Sequence, residues 1–457
     1  MTETRHRPLA ALLALVFLAD VLFWGHAPGL SLAIFALALF AAALRARPRP
    51  VALAVLVLAV LPVVEFVQPL SVLILALGLV TGLALQAGPG QAPWARAGAI
   101  LRQVPGRAMG DLGRGMRGVS GVSAGQAARG LAQRWALPLG GGLVLAALLA
   151  EANPVLDLWL QDLANLPFDP ALWLRRVLFW AGVAILAWPL ILSDAAPLPP
   201  AQGPRRPQDP GAFGLNAASV ARALVLFNAG LALQSALDAR YLWAGTTPPG
   251  MTLAAYAHRG AYPLLATALL AGAFALAARP FVARRPLLKP LLHLWLAQNI
   301  LLTLSALYRL DLYVQAYGLT YLRIHAAIWM ALVAAGLALT LWQVARNHGA
   351  AWLLRRCAVL GGATLYLASF VNFADLIART NVAMGKIDTA YLCSLGPTAA
   401  ASLRNGTTWI EPQGDLDSYR LYDSGCRFTL PHIDGWRDWG FRNWRVLNTL
   451  ATQEARP

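Results

Sequence analysis

Residues 51–86 read VALAVLVLAVLPVVEFVQPLSVLILALGLVTGLALQ, and Glu65 is their one charged side chain. A helix crossing the roughly 30 Å hydrocarbon core of a bilayer needs about 20 mostly apolar residues. This stretch is long enough for two such helices. Gln68-Pro69 marks the break, because a residue before proline is pushed out of the helical region and proline itself opens a helix well. The stretch therefore predicts a tight hairpin of membrane helices, 51–67 and 69–86. Working outward, similar apolar runs lie at 8–24, 29–44, 137–151, 173–193, 216–237, 261–278, 291–310, 321–344 and 357–374. The expected fold is an all-α polytopic membrane protein with about eleven transmembrane helices. The runs at 29–44, 51–67 and 137–151 are short for a full crossing. Arg5-His6-Arg7 resembles the head of a signal peptide, but no clear small-residue cleavage site follows, so an uncleaved first helix is expected.

Composition agrees. The chain is 58% hydrophobic and 13% charged, with a net charge of +16, whereas a soluble domain carries about 25% charged residues. A nucleic-acid binder would set Lys/Arg stripes in a polar background; here the background is Ala, Leu and Val, so no nucleic-acid partner is expected. The basic residues instead fall in alternate loops. Segments around Arg5, Arg45–Arg49, Arg96–Arg134, Arg205–Arg222, Arg279–Lys289 and Arg346–Arg356 hold 22 of the 37 Lys/Arg. Positive loops stay in the cytoplasm, which places the N-terminus inside and a small C-terminal domain outside. The expected organisation is four N-terminal transmembrane helices in 1–86, a basic cytoplasmic loop in 87–136, seven further helices in 137–374, and an extracytoplasmic domain or tail in 375–457. The localisation implied is the bacterial cytoplasmic (inner) membrane.

The loop 87–136 mixes Gly and Arg with scattered apolar residues. It reads either as short amphipathic helices on anionic inner-leaflet lipid or as a solvated loop that sets topology. Residues 194–212 hold six prolines and read as a stiff linker. The tail balances nine Lys/Arg against nine Asp/Glu and includes Gly435-Trp436-Arg437-Asp438-Trp439-Gly440-Phe441-Arg442-Asn443-Trp444-Arg445. Trp beside Arg suits a membrane–water interface; a face for sugar or lipid headgroup is the alternative. Of the three cysteines, Cys393 and Cys426 both lie in this tail, and an oxidising exterior predicts a disulfide between them.

Ionisable groups inside a bilayer are costly, so each is a site candidate. They concentrate at the outer ends of the predicted spans: Asp20, Glu65, Asp238, Arg240, His258, Arg259, Tyr262, Gln298, Arg309, Asp311, Arg323 and His325. Gln298, Ser305 and Arg309 are spaced i, i+7, i+11 and form a polar stripe that must face protein or water. These residues are expected to line an outward-facing Arg/His/Tyr/Asp pocket. Three chemistries fit it: ion pairs that fix helix packing, guanidiniums that bind a phosphate, carboxylate or lipid headgroup, or a carboxylate–His base in an intramembrane transferase. No Walker, CxxC or HExxH pattern occurs, and no cofactor or metal is expected.

Several stretches resemble the signatures of the bacterial DUF4173 family of multi-pass membrane proteins. They are Asp238-Ala-Arg-Tyr-Leu-Trp-Ala-Gly245, Thr252-Leu-Ala-Ala-Tyr-Ala-His-Arg-Gly-Ala-Tyr-Pro263, Tyr308-Arg-Leu-Asp-Leu-Tyr313 and Tyr317-Gly-Leu-Thr-Tyr-Leu-Arg-Ile-His325. Glu151-Ala-Asn-Pro154 and Asp388-Thr-Ala-Tyr-Leu-Cys-Ser-Leu-Gly-Pro397 also fit. The resemblance covers about 140–400, implies a membrane-spanning architecture and supplies no reaction. The expected function is therefore an outward pocket for an anionic small molecule or lipid headgroup, in transport or sensing. A polyprenyl-phosphate glycosyltransferase-like enzyme is one alternative, set back by a first outer loop of only Gly25 to Pro28. A membrane scaffold or signalling partner contacting others through 87–136 is the other.

Overall fold

The computed structural model describes residues 3–44, 47–86, 95–102, 169–192, 216–245, 267, 269–278, 281–282, 288–405, 410–412, 418–421, 427–430 and 433–454. The predicted span 137–151 and the linker 194–212 lie outside the described residues, as does almost all of the loop 87–136. The described helices are α1 (Glu3–Phe23), α2 (Leu30–Ala43), α3 (Pro50–Glu65), α4 (Pro69–Gln86), α5 (Pro170–Ile191) and α6 (Ala217–Leu237). They continue with α7 (Leu269–Ala278), α8 (Leu288–Tyr317), α9 (Tyr321–Arg346), α10 (Ala350–Ala368), α11 (Phe373–Ala383), α12 (Thr389–Ser394), α13 (Ala400–Asn405) and α14 (Phe441–Glu454).

This is a membrane-type helical protein. Five described helices are long and apolar enough to cross a bilayer: Pro69–Gln86, Ala171–Ile191, Ala217–Trp243, Leu288–Tyr317 and Tyr321–Ala345. The bent pair α10–α11 would make a sixth. Pro8–Phe23, Leu30–Ala43, Pro50–Glu65 and Leu269–Ala278 are apolar but shorter. Large side chains such as Phe17, Leu226, Leu322 and Val359 are 69–71% exposed, the outward apolar surface that a bilayer would cover.

The chain divides into two compact units, 1–201 with 434–440 and 202–433 with 441–457. In the first, α3 and α4 form the hairpin expected from Gln68-Pro69. Ser71 closes its turn by donating to the Phe66 and Gln68 carbonyls at 2.7 and 2.9 Å. The helices touch closely at Gly78, where a Cβ would come within 2.1 Å of the Ala59 Cβ. Leu15, Leu39, Phe40, Leu56, Leu83 and Ile100 belong to its core.

Residues 434–440 complete the N-terminus of α2, which has no side-chain cap. The Leu30 amide donates to the Trp439 carbonyl at 2.8 Å and the Ser31 amide to that of Arg437 at 3.0 Å. Amides in a first helical turn have no partner within the helix, and here distant backbone supplies it. Gly29 permits the approach: a Cβ there would meet the Asp438 carbonyl carbon at 2.4 Å. Asp438 is buried and accepts from the Asp434 and Gly435 amides at 2.7 and 3.0 Å. Burial alone would raise its pKa. The backbone donors of Asp434, Asp438 and Gly435, with nearby His26, outweigh that and hold the carboxyl below its usual range. The Trp/Arg segment thus has an internal packing role in addition to any interfacial one.

In the second unit, α6 runs on without a break into a π-helical turn, Asp238–Trp243. Helix α8 has 30 residues, about 45 Å at 1.5 Å per residue, and so outruns the predicted span 291–310 at its C-terminal end. The predicted last span, 357–374, is corrected: α10 ends at Ala368 and the chain bends by 71° into α11. The bend is fixed by the Asn372 side chain, which accepts from the Asp375 amide and donates to the Thr398 carbonyl at 2.8 Å. From there Ile377, Leu392, Leu403, Val446 and Leu450 belong to a second small core with Ile324. Beside the helices, β1 (Ile410–Pro412), β2 (Ser418–Leu421) and β3 (Arg427–Thr429) form a small antiparallel sheet in the order β1-β2-β3. Strands of three and four residues are too short for alternation to stand out in the sequence.

Candidate functional site

The polar residues of the second unit gather along the interface of α6 and α8. The two helices run in the same direction. Asn228 on α6 reaches the Leu291 carbonyl at 3.1 Å, and one end further on the Trp243 indole N–H reaches Ser305 Oγ at 3.3 Å. Near this second level Asp238 is ion-paired with Arg309, one turn beyond Ser305 on α8, and the Gln234 amide donates to the same carboxylate oxygen, Oδ1, at 2.9 Å. Trp243 stacks on Tyr308 at 5.4 Å between ring centroids. The π-helical turn matters here. An extra residue per turn shifts side chains relative to an α-helix, and this turn carries both Asp238 and Trp243 to α8.

The predicted stripe on α8 is present: Ser305 and Arg309 are buried and Gln298 is half-buried. Several buried polar atoms of α6, α8 and the π-helical turn lack a hydrogen-bond partner among the described residues. They include Asn228 Oδ1, Asp238 Oδ2, Gln298 Oε1, Asn299 Oδ1 and Trp295 Nε1. The two asparagines cannot be turned over to mend this, because their amide N–H groups already donate to carbonyls: Leu224 and Leu291 for Asn228, Trp295 for Asn299.

Other predicted residues are placed differently. Asp20 and Glu65 belong to the first unit. Asp20 is bound by Arg176, Nε to Oδ1 at 2.9 Å and Nη2 to Oδ2 at 2.5 Å, and accepts from the Trp180 indole at 2.8 Å. The Arg176 guanidinium lies 5.5–5.9 Å from the rings of Trp24, Trp173 and Trp180. Glu65 is buried at the end of α3, where its carbonyl lies near Gly440. In the second unit Arg240 is exposed over the Tyr241 ring, and exposed Asp311 accepts from Gln315 at 2.7 Å. His325 is exposed beside Tyr321 and Phe373. His258, Arg259 and Tyr262 lie outside the described residues.

Arg323 closes a turn. It donates to the carbonyls of Tyr317, at 3.0 Å, and Gly318, and lies 4.5 Å from the Tyr313 ring centroid. The same turn is clamped by Asn381, whose side chain pairs with both backbone groups of Leu319, and by the Tyr391 hydroxyl, which accepts from the Tyr321 amide at 2.9 Å. Asp388 caps α12 and so orients Tyr391. Much of the motif 317–325 is thus turn architecture. Cys393 is disulfide-bonded and Cys357 is free; the predicted partner Cys426 lies outside the described residues. No group of His, Cys, Asp and Glu that could hold a metal occurs among the described residues.

Sequence reasoning missed Arg176 and Trp180. A lone carboxylate in a span needs a basic partner, and Arg175-Arg176 is the basic pair inside the predicted span 173–193, so a signal existed. It also missed Asn228 and Gln234, which are uncharged and gave none.

Fold and site together define a helical membrane protein whose charged groups are gathered at helix interfaces. It belongs to the family of the domain of unknown function DUF4153, whose model matches residues 9–406. That finding replaces the DUF4173 resemblance with a family of another number and extends the match to the N-terminal helices. No curated protein and no solved structure matches the chain.

Proposed function

We propose that this is a multi-pass protein of the bacterial cytoplasmic membrane, with about eleven spans, its N-terminus inside and its C-terminal domain outside. Its basic segments rest on anionic inner-leaflet lipid. Its working site is the polar cluster at the Asp238–Arg309 end of α6 and α8, which binds an anionic small molecule or lipid headgroup for transport or sensing. The observation that supports this is the pairing itself. Arg309 is buried and holds an anion already, the carboxylate of its own chain, through Oδ1 alone among the described contacts. A guanidinium offers five donors in a planar fork. A ligand anion of similar shape can therefore compete for it, with Trp243, Tyr308 and Arg240 at the same end.

The test is thermal stabilisation of the purified protein by small carboxylates and by anionic lipid headgroup analogues. Stabilisation of the wild type and its loss in folded Arg309→Gln and Arg259→Ala variants is the expected result. Loss of folding in both, with no stabilisation of the wild type, would leave these arginines as packing elements.

A further inference from the structure

We propose that anion binding at Arg309 is linked to protonation of Asp238, so that one proton enters with each negative charge. This rests on the anion-binding reading of the site and adds its coupling ion.

The argument is one of charge. Asp238 and Arg309 have side-chain exposures of 2% and 4%, and together they are neutral. A monovalent anion arriving alone would leave two anions against one guanidinium in a site with little water, which is strongly unfavourable. Protonation alone would leave the guanidinium without its carboxylate, which is also costly. The two events together keep the site neutral, and each makes the other favourable. Affinity linkage of this kind is reciprocal.

The atoms for it are in place. Asp238 Oδ2 is buried and has no donor among the described residues, while Oδ1 takes Arg309 and Gln234. The new O–H bond forms at Oδ2, the Arg309 contact to Oδ1 breaks, and the guanidinium donates to the incoming anion. Arg309 stays protonated throughout. The proton is delivered by water. Asn228 Oδ1, at the same interface, is a buried acceptor without a donor among the described residues. Such atoms are normally satisfied by ordered water. Among the described residues, Arg309 is the charged group bonded to Asp238.

The experiment uses the full chain in lipid nanodiscs with formate as the probe, since formate resembles the carboxylate it would displace. Binding is followed across one-unit pH steps, with a pH indicator counting protons taken up. The expected result is one proton per formate and an apparent Kd that weakens as pH rises, by about tenfold per pH unit at most. Asp238→Asn should bind formate with no pH dependence, and a carboxylic-acid infrared band that appears on binding should be missing from it. Formate binding to the wild type that is independent of pH and releases or takes up no proton overturns the linkage and leaves the anion site standing. Absence of formate binding in both wild type and Asp238→Asn overturns the anion site and the linkage with it. If Asp238→Asn does not fold, the proton count on the wild type decides alone.

Discussion

Among the described residues, Asp20 and Asp238 are helix carboxylates that each meet an arginine, yet the two pairs are built differently. Asp20 in the first unit uses both oxygens on Arg176, adds the Trp180 indole, and leaves 12% and 30% of the two side chains exposed. Three tryptophans surround the guanidinium. Asp238 in the second unit is sealed, meets Arg309 through one oxygen, and keeps the other oxygen bare of described partners. Asp20 is satisfied and can rehydrate; Asp238 keeps one buried oxygen without a described donor. A satisfied pair locks helices together, whereas a pair with spare bonding capacity can exchange partners.

The largest expected effect breaks this contrast directly. Arg309→Met leaves a buried carboxylate without its countercharge and should cost about 3–5 kcal/mol. Arg176→Met leaves Asp20 within reach of water and the Trp180 indole, so its cost should be markedly smaller. Chemical unfolding of both variants in detergent gives the two values. Equal costs would remove the distinction between a lock and a working pair.

The next effect, about 1–3 kcal/mol, concerns the turns that hold each unit. Gly318 has φ +80°, and a Cβ there would come 2.9 Å from Asn381 Oδ1 and 3.2 Å from the Lys386 Cβ. Gly318→Ala should therefore loosen the α8–α9 turn from α11 and expose that region to proteases. Gly29→Ala acts by collision with Asp438. It should release residues 434–440 from α2, read as faster amide exchange at Leu30 and Ser31, while the second unit keeps its stability. If both variants behave like wild type, neither close approach constrains its unit.

These cases also show which features the sequence could carry. Membrane helices are legible because about 20 apolar residues in a row have few other uses, and Gln68-Pro69 locates a turn by local backbone chemistry. The stripe Gln298, Ser305, Arg309 is legible because helical spacing is fixed at 3.6 residues per turn. Partner choice is not local. Arg176 lies 156 positions from Asp20, and nothing in spacing distinguishes it from its neighbour Arg175. Arg323 shows a related limit: a charge at a helix end can turn to carbonyls of the preceding turn as readily as to a ligand. The Trp/Arg segment showed its interfacial chemistry but not the helix terminus it would complete, because backbone hydrogen bonds to a distant strand of chain leave no mark on side-chain type.

The smallest expected effect is a pH dependence confined to the first unit. The Asp438 carboxyl is held below its usual range by backbone donors and His26 against the opposing effect of burial. A carboxylate whose pKa is lowered by folding contributes stability above its unfolded value, near 3.9. That contribution is lost as pH falls through the lower folded value. Acidification should therefore undock residues 434–440 before the helices melt, because protonated Asp438 is a weaker acceptor for the Asp434 and Gly435 amides. The protection of the Leu30 and Ser31 amides, measured as exchange relative to the intrinsic rate at each pH, should fall on going from neutral pH to about pH 3, and Asp438→Asn should show the lower protection already at neutral pH with little further change on acidification. The Asp20–Arg176 region supplies the internal control. If its amides lose protection equally in both proteins, the acid effect is general unfolding, and Asp438 has no special part in holding the segment on α2.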